Sequence, residues 1–267
     1  MITYVTALFD INREQWGDGR SIENYLSWMR QTCAMNVPMV IFTQPDLVDR
    51  IQRFREVQKQ GTKIVPQTLA EIPYAAYRHR TLEIINSKEY QAKVMAPERV
   101  ECKLADYSLV IHSKFDWLKQ VTKDNPFATD YFAWCDAGLS RFFPEDFDLD
   151  NPLDNEQVFN LVEGGRCLIQ TRSDIHRLSS FEELGHDTIN FLTATLFFGE
   201  PNVLWKLSVA VKKAFEEELL ARNIVNNEQI SLAFVARKHP EWFSAIQNDS
   251  GEHLIMLRAL QSNALSS

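Results

Sequence analysis

Tyr131–Phe143, YFAWCDAGLSRFF, decides how the chain is read. Its first five residues, Tyr131–Cys135, are mostly apolar and stop abruptly at Asp136-Ala137-Gly138. A short apolar run closed by a turn predicts a buried strand. Open α/β sheets bind ligands beyond the carboxyl ends of their strands, so Asp136 is placed to face a crevice. Gly138 would let a bulky group approach the backbone, or let the chain take a positive φ. Asp and Gly also favour turns for purely local reasons, so an acid that merely caps the loop is the competing reading.

Upstream, Met1–Phe9 (MITYVTALF) predicts a buried first strand that ends in Asp10-Ile11-Asn12-Arg13. Polar residues after a first strand are a common dock for a nucleotide base and ribose in doubly wound folds. No GxGxxG follows, so a dinucleotide fingerprint is absent. Ser21 is a fitting cap for a helix to Ala34, with Ile22, Tyr25, Leu26 and Met29 on one face. Val37–Thr43 predicts a second strand, Pro45 opens a helix to about Val57, and Thr62–Val65 predicts a third strand. That alternation is the rhythm of a parallel α/β sheet. Tyr74–Asn86 predicts a helix carrying Arg78-His79-Arg80, a solvated face or a contact to phosphate or to a carboxylate-bearing sugar. Asp106–His112 (DYSLVIH) predicts a fourth strand, followed by a helix from Phe115 to Thr122. Lys114 would then sit at a helix start, where a cation opposes the dipole. An anionic partner would explain it there, and so would a plain surface lysine.

Downstream, Pro144–Gln157 is acidic and rich in Asp, Asn and Pro, and predicts a loop. Arg166–Thr171 and Phe191–Phe198 predict strands, with a polar stretch, Ser179–Gly185, between them. Asn202–Ala221 has the apolar spacing of a long amphipathic helix. Asn223–Gln229 predicts a polar turn into the helix Ser231–Lys238, and His253–Leu260 predicts a short closing helix.

Composition narrows the function classes. At 267 residues the chain is long enough to bury a substantial core as one domain. A net charge of −8 argues against a nonspecific grip on nucleic acid. Cys33, Cys102, Cys135 and Cys167 form no CxxC pair, which argues against a zinc site or a disulfide framework and fits a reducing compartment. There is no basic-then-apolar leader and no run long enough to span a bilayer, so the expected location is cytoplasmic.

With these stretches placed, the chain resembles the HtrL/YibB-like family of bacterial proteins, related to GT-A glycosyltransferases. The resemblance rests on VTALFDINR (Val5–Arg13), Ser113-Lys114, NPF (Asn125–Phe127), FAWCDAG (Phe132–Gly138), TATLFFG (Thr193–Gly199) and NNEQ (Asn226–Gln229). Each motif is weak alone; their order spans nearly the whole chain. The resemblance implies a GT-A-like, Rossmann-like α/β fold with a mixed, mainly parallel sheet flanked by helices. It implies one domain over 1–267, with a nucleotide-sugar half (1–140) and an acceptor half (141–267). It implies a glycosyltransferase that moves a sugar from a nucleotide-sugar donor, UDP-linked by the habit of the fold, to a glycan or lipid-linked glycan of a surface polysaccharide or lipopolysaccharide. Such acceptors would be compatible with peripheral membrane association.

GT-A enzymes typically carry Asp-x-Asp at the end of a central strand, where the pair contacts ribose and a divalent metal on the donor diphosphate. Asp136 matches the first acid; Gly138 stands in place of the second. Either Asp136 holds Mn²⁺ or Mg²⁺ with a distant His and water, or the protein works without metal. His253 is the expected metal partner, with His186 an equal alternative. Lys114 is the expected cation for the donor phosphate, with Arg13 and Arg141 behind it. Thr6, Ala7 and Asp10 would hold base and ribose. Asp187, Glu200 and Glu228 are candidate bases for the acceptor hydroxyl. Asn227 and Glu228 could equally cap and charge a helix start. Trp28, Trp117 and Trp134 sit in apolar patterns and are expected in the core, whereas Trp16 is the better sugar platform. A sugar nucleotidyltransferase is disfavoured because DINREQW is not a glycine-rich phosphate loop. A catalytically silent carbohydrate-binding or assembly protein is favoured to a degree by the missing second acid.

Overall fold

Strand β1 (Ile2–Leu8) is buried at every residue except Ala7, the signature of a parallel strand covered on both faces. In this computed structural model the described residues are 1–16, 18–174, 185–187, 191–248, 250 and 252–261. Most of the polar stretch expected at Ser179–Gly185 lies outside them. The other strands are β2 (Met39–Thr43), β3 (Thr62–Pro66), β4 (Tyr131–Cys135), β5 (Cys167–Thr171), β6 (Leu192–Gly199) and β7 (Phe243–Gln247). Among the described residues they form one seven-stranded sheet in the order β3-β2-β1-β4-β6-β5-β7. The β1 pairings to β2 (Val5 opposite Val40) and to β4 (Val5 opposite Trp134) are parallel, as are β2–β3 and β5–β7. β6 alone among them runs against its neighbours, pairing antiparallel with β4 and β5. This is the mixed, mainly parallel, helix-flanked sheet expected of a GT-A-like chain.

Flanking helices are α1 (Ile22–Thr32), α2 (Val48–Arg55), α3 (Arg78–Ile85), α4 (Lys88–Lys93), α5 (Ala105–Asp124), α6 (Asn155–Val162), α7 (Pro201–Lys213), α8 (Glu228–Lys238) and α9 (Met256–Ala259). Ser21 caps α1 as its sequence predicts, in a reciprocal box with Asn24. Strand alternation splits the apolar residues between two faces. Val5, Phe42 and Trp134 pack with Trp117, Leu207 and Phe215. Tyr4, Ile41 and Ala133 pack with Met29, Ile51 and Met256 on the other side.

Two expectations are corrected. Asp106–His112 is not a strand but the front of α5, which runs unbroken for 20 residues. The apolar run is too short to show its period, whereas the buried set Ala105, Ser108, Leu109, His112, Phe115, Leu118 and Val121 follows a helical stripe. Its polar members are satisfied inside the helix pack: Ser113 Oγ donates to the Leu109 carbonyl at 2.8 Å. His112 Nδ1 lies 2.8 Å from the Ser108 carbonyl and Nε2 lies 2.9 Å from Ser231 Oγ. Only a donor suits the carbonyl, so Nδ1 carries the proton, and burial pushes the imidazole down to about 3. The loop expected through Gln157 stops at Asp154, whose side chain accepts the Glu156 and Gln157 amides and starts α6.

Candidate active site

Strand order reverses at the middle of the sheet, where β1 leads to β2 and β3 on one side and meets β4 on the other. Such a switch point opens a crevice at the carboxyl ends of the strands. A cleft of about 970 Å³ lies there, lined by Asp10 and Arg13 after β1, by Asp136 and Arg141 after β4, and by Glu228 and Gln229 at the start of α8.

Lys114 is the centre of the site. It lies midway along α5, not at a helix start, and is only 1% exposed. Its Nζ donates to Glu228 Oε1 at 2.7 Å, Asp136 Oδ1 at 3.1 Å and the Ala194 carbonyl at 3.1 Å. Every ammonium proton is thereby used. The expected anionic partner exists, but it is the protein's own pair of carboxylates. Burial works to discharge Lys114, but the fields of Asp136 and Glu228 outweigh it and hold its pKa above the ordinary lysine value. Glu228 is buried too, and burial raises its carboxyl above the usual range despite Lys114 beside it. Asp136 differs. Its Oδ1 also accepts Trp134 Nε1 at 2.7 Å, yet its side chain is 37% exposed. Its second oxygen has no hydrogen-bond partner among the described residues and is free for a ligand.

Local structure explains these placements. Asn227 caps α8, accepting the Gln229 amide at 3.0 Å, which sets Glu228 at the positive end of the helix dipole. The capping and the acidic roles weighed for this pair are therefore compatible. Asn226 ties the helix start to the preceding segment by donating to the Gly185 and Asp187 carbonyls at 2.8 and 3.0 Å.

Other expected site residues fall in different places. Ala7, Asp10 and Arg13 line the cleft, and so do Gly138 and Arg141. Thr6 does not: it faces the core, 0% exposed, because Ala7 takes the outward alternation of β1. Asp187 is buried beside the start of α8 and is not among the described residues that line the cleft. Trp117 and Trp134 are buried in the core as expected, their rings stacked 6.3 Å apart where the core borders the cleft, while exposed Trp16 also lines the cleft. The Arg78 and Arg80 contacts are internal, to Asp106 and to Glu83 and Asn223. Sequence reasoning missed Arg20 in the cleft wall; its one signal is a place beside Asp18-Gly19 in the loop after β1.

The residues present suit a divalent metal poorly. Among the described residues no three His, Cys, Asp or Glu side chains converge on one point. His253 lines the cleft, but its ring stacks on Phe142 at 4.3 Å and its Nδ1 faces Arg172 at 3.4 Å. Burial, then Arg172 and Arg141, lower its pKa. Lys114 fills one oxygen of Asp136 with positive charge, the opposite of what a dication needs beside it.

Residues 1–261 match the model of a family described as "Bacterial protein of unknown function (HtrL_YibB)". The chain belongs to the HtrL/YibB family. Protein HtrL of Escherichia coli (strain K12) is 24% identical over 279 residues, covering 98% of this chain and 93% of HtrL. Among solved structures, mouse xyloside xylosyltransferase 1 in its apo form superposes with a TM-score of 0.46 at 9% identity, over 92% of this chain and 84% of that one. The 4-diphosphocytidyl-2C-methyl-D-erythritol synthase of Anaerococcus prevotii DSM 20548 gives a TM-score of 0.43 at 12% identity, over 94% and 90%. Among the described residues, no helix of this HtrL/YibB member is long and apolar enough to cross a membrane.

Proposed function

We propose that this HtrL/YibB protein is a glycosyltransferase whose cleft takes a nucleotide-sugar donor on the β1–β4 side and a glycan hydroxyl on the α8 side. The observation that carries the proposal is the Asp136–Lys114–Glu228 cluster at the switch-point cleft. It joins an accessible acid to a buried one through a single ammonium. Such a pair suits chemistry in which one carboxylate orients a polar ligand and the other receives a proton. Asp136 takes the donor, with Ala7 and Asp10 beside the base and ribose. Glu228, whose carboxylate burial makes more basic than usual, accepts in its ionised form the proton of the acceptor hydroxyl. In that step the acceptor oxygen bonds to the anomeric carbon. The bond from that carbon to the diphosphate oxygen breaks, and its electron pair leaves with the nucleoside diphosphate. Trp16 offers a face on which a sugar ring can stack. A UDP-linked donor, a surface-glycan acceptor and a cytoplasmic location belong to the same reading.

The test is turnover of a panel of nucleotide sugars by the purified chain, with Asp136→Ala as control. Release of a nucleoside diphosphate that the folded control lacks is the expected result. Equal release by wild type and Asp136→Ala sinks the assignment. Binding of a donor without any turnover leaves a sugar-nucleotide-binding protein instead.

A further inference from the structure

Gly138 stands where the second acid of the metal motif would be, and the place is not vacant. A Cβ added at Gly138 would lie 3.0 Å from Arg141 Nε and 3.3 Å from one of its Nη atoms. The backbone there has φ −90°, so glycine is not required for a left-handed turn. What it provides is room for the guanidinium. Arg141 is fixed in that room by a 3.1 Å bond from Nε to the Gly138 carbonyl and by stacking on Trp28 and Phe142 at 4.6 and 5.0 Å. It has no ion-pair partner among the described residues. Arg20 and Arg13 lie in the same wall, sharing Asp18 at 2.8 and 3.2 Å. After burial, the field of Arg20 is the next cause that lowers the Arg141 pKa, with Arg13 adding to it. The cleft lining as a whole mixes acids (Asp10, Asp18, Glu98, Glu101, Asp136 and Glu228) with bases, and within it Arg141, Arg20 and Arg13 gather three guanidiniums near enough to feel one another. Such an arrangement is stabilised by an anion of more than one charge. Planar guanidiniums bind phosphate oxygens in pairs, with directionality that a lysine lacks.

We infer that Arg141, supported by Arg20 and Arg13, takes the place of the divalent cation: the donor's diphosphate is held by guanidiniums and the protein binds it without metal. This rests on the donor site proposed above. The negative charge that builds on the leaving diphosphate is then met by fixed cations, which need no reorganisation during the reaction.

The experiment is titration calorimetry of the full chain with UDP, GDP and dTDP, each in EDTA and in Mn²⁺, with the matching monophosphates as comparison. At least one diphosphate is expected to bind with the same Kd, within about twofold, in EDTA and in Mn²⁺. Arg141→Met should weaken that diphosphate by about tenfold to a hundredfold, roughly one to two steps of 1.4 kcal/mol. It should weaken the monophosphate much less. Gly138→Asp places an acid against Arg141, so its diphosphate binding should fall in EDTA and recover with Mn²⁺. This second variant keeps the test intact where Arg141→Met loses its fold. Diphosphate binding that EDTA abolishes in the wild type overturns the inference and leaves the donor site standing. Failure of every nucleotide to bind, with and without Mn²⁺, overturns the donor site and the inference together.

Discussion

Replacing Lys114 by methionine keeps most of the side-chain volume and removes one charge, which isolates the electrostatics of the cluster. Lys114 is 1% exposed and Glu228 is 4% exposed, so the variant leaves a buried carboxylate without its cation. Breaking a buried pair in this way costs about 3–5 kcal/mol, against a total of about 5–15 kcal/mol for a folded domain. Asp136 adds little to that loss, because water can reach its 37%-exposed side chain. The cost therefore falls on Glu228, and it depends on pH. The Glu228 pKa is already raised in the folded protein, and loss of Lys114 raises it further. A raised carboxyl stabilises the fold when protonated. That contribution is complete below the ordinary value of 4.5 and is lost as pH rises through the higher folded value.

Urea unfolding across pH 5 to 8 measures the effect. The Lys114→Met protein should lose stability as pH rises, by at most about 1.4 kcal/mol per unit more than wild type. Adding Glu228→Gln should restore part of the loss at pH 8, since the unpaired charge is then gone. Two results would refute the reasoning. One is parallel pH dependence in wild type and Lys114→Met. The other is a double variant no more stable at pH 8 than the single one.

The remaining expectations concern separate parts of the molecule. Asp136→Ala should lose turnover while its urea midpoint stays near wild type, because water replaces the carboxylate at a half-exposed site. Glu228→Gln should bind the nucleoside diphosphate several-fold tighter than wild type while losing transfer, as calorimetry and turnover would show together. All four cysteines are buried and free, and burial pushes the Cys33 thiol up to about 12 and lifts those of Cys102, Cys135 and Cys167 as well. Ellman's reagent should therefore label none in the native protein and every one in guanidinium; fast native labelling would contradict the buried placement. Arg55 is 3% exposed and donates to the Cys33, Met35 and Val37 carbonyls at 2.7, 2.8 and 2.7 Å. Lysine cannot reproduce that fork, so Arg55→Lys should cost about 2–4 kcal/mol in urea unfolding, and an unchanged midpoint would disprove it.

The central strands were legible because burial on both faces writes continuous apolar runs, as in Ile2–Leu8 and Tyr131–Cys135. The edge strand β7 was not. Its FSAIQ pattern is half exposed and follows directly on the Pro240–Trp242 turn, so it carries no apolar run to notice. The start of α5 was misread for the opposite reason: Leu109-Val110-Ile111 is apolar and β-rich locally, and only Phe115 to Val121 reveals the helical stripe. Acids at chain turns were easier than their partners. Asp136 and Glu228 stand out beside strand and helix ends, whereas no local pattern says that Lys114 reaches both. That fact depends on α5 crossing behind β4, a packing contact between residues 22 and 114 positions apart. Arg141 was named from sequence, but its seat over Gly138 needs coordinates.

The Lys114 cluster also says how the two halves of the chain could act together. Residues 1–140 supply Asp136 and Lys114, while residues 141–267 supply Ala194 and Glu228, and one ammonium binds all of them. With Asp136 and Glu228 ionised and Lys114 charged, the cluster carries a net negative charge that opposes an anionic ligand nearby. Protonation of Glu228 removes it. In the proposed transfer, the proton that leaves the acceptor hydroxyl arrives on Glu228 as charge moves onto the departing diphosphate. The ammonium, no longer balanced on the acceptor side, then adds to the positive field around Asp136. Proton arrival in one half thus stabilises the leaving group in the other, through a side chain that moves little because all its donors are already fixed. Glu228→Gln imitates the protonated state permanently, which is why it should hold the diphosphate more tightly and transfer nothing.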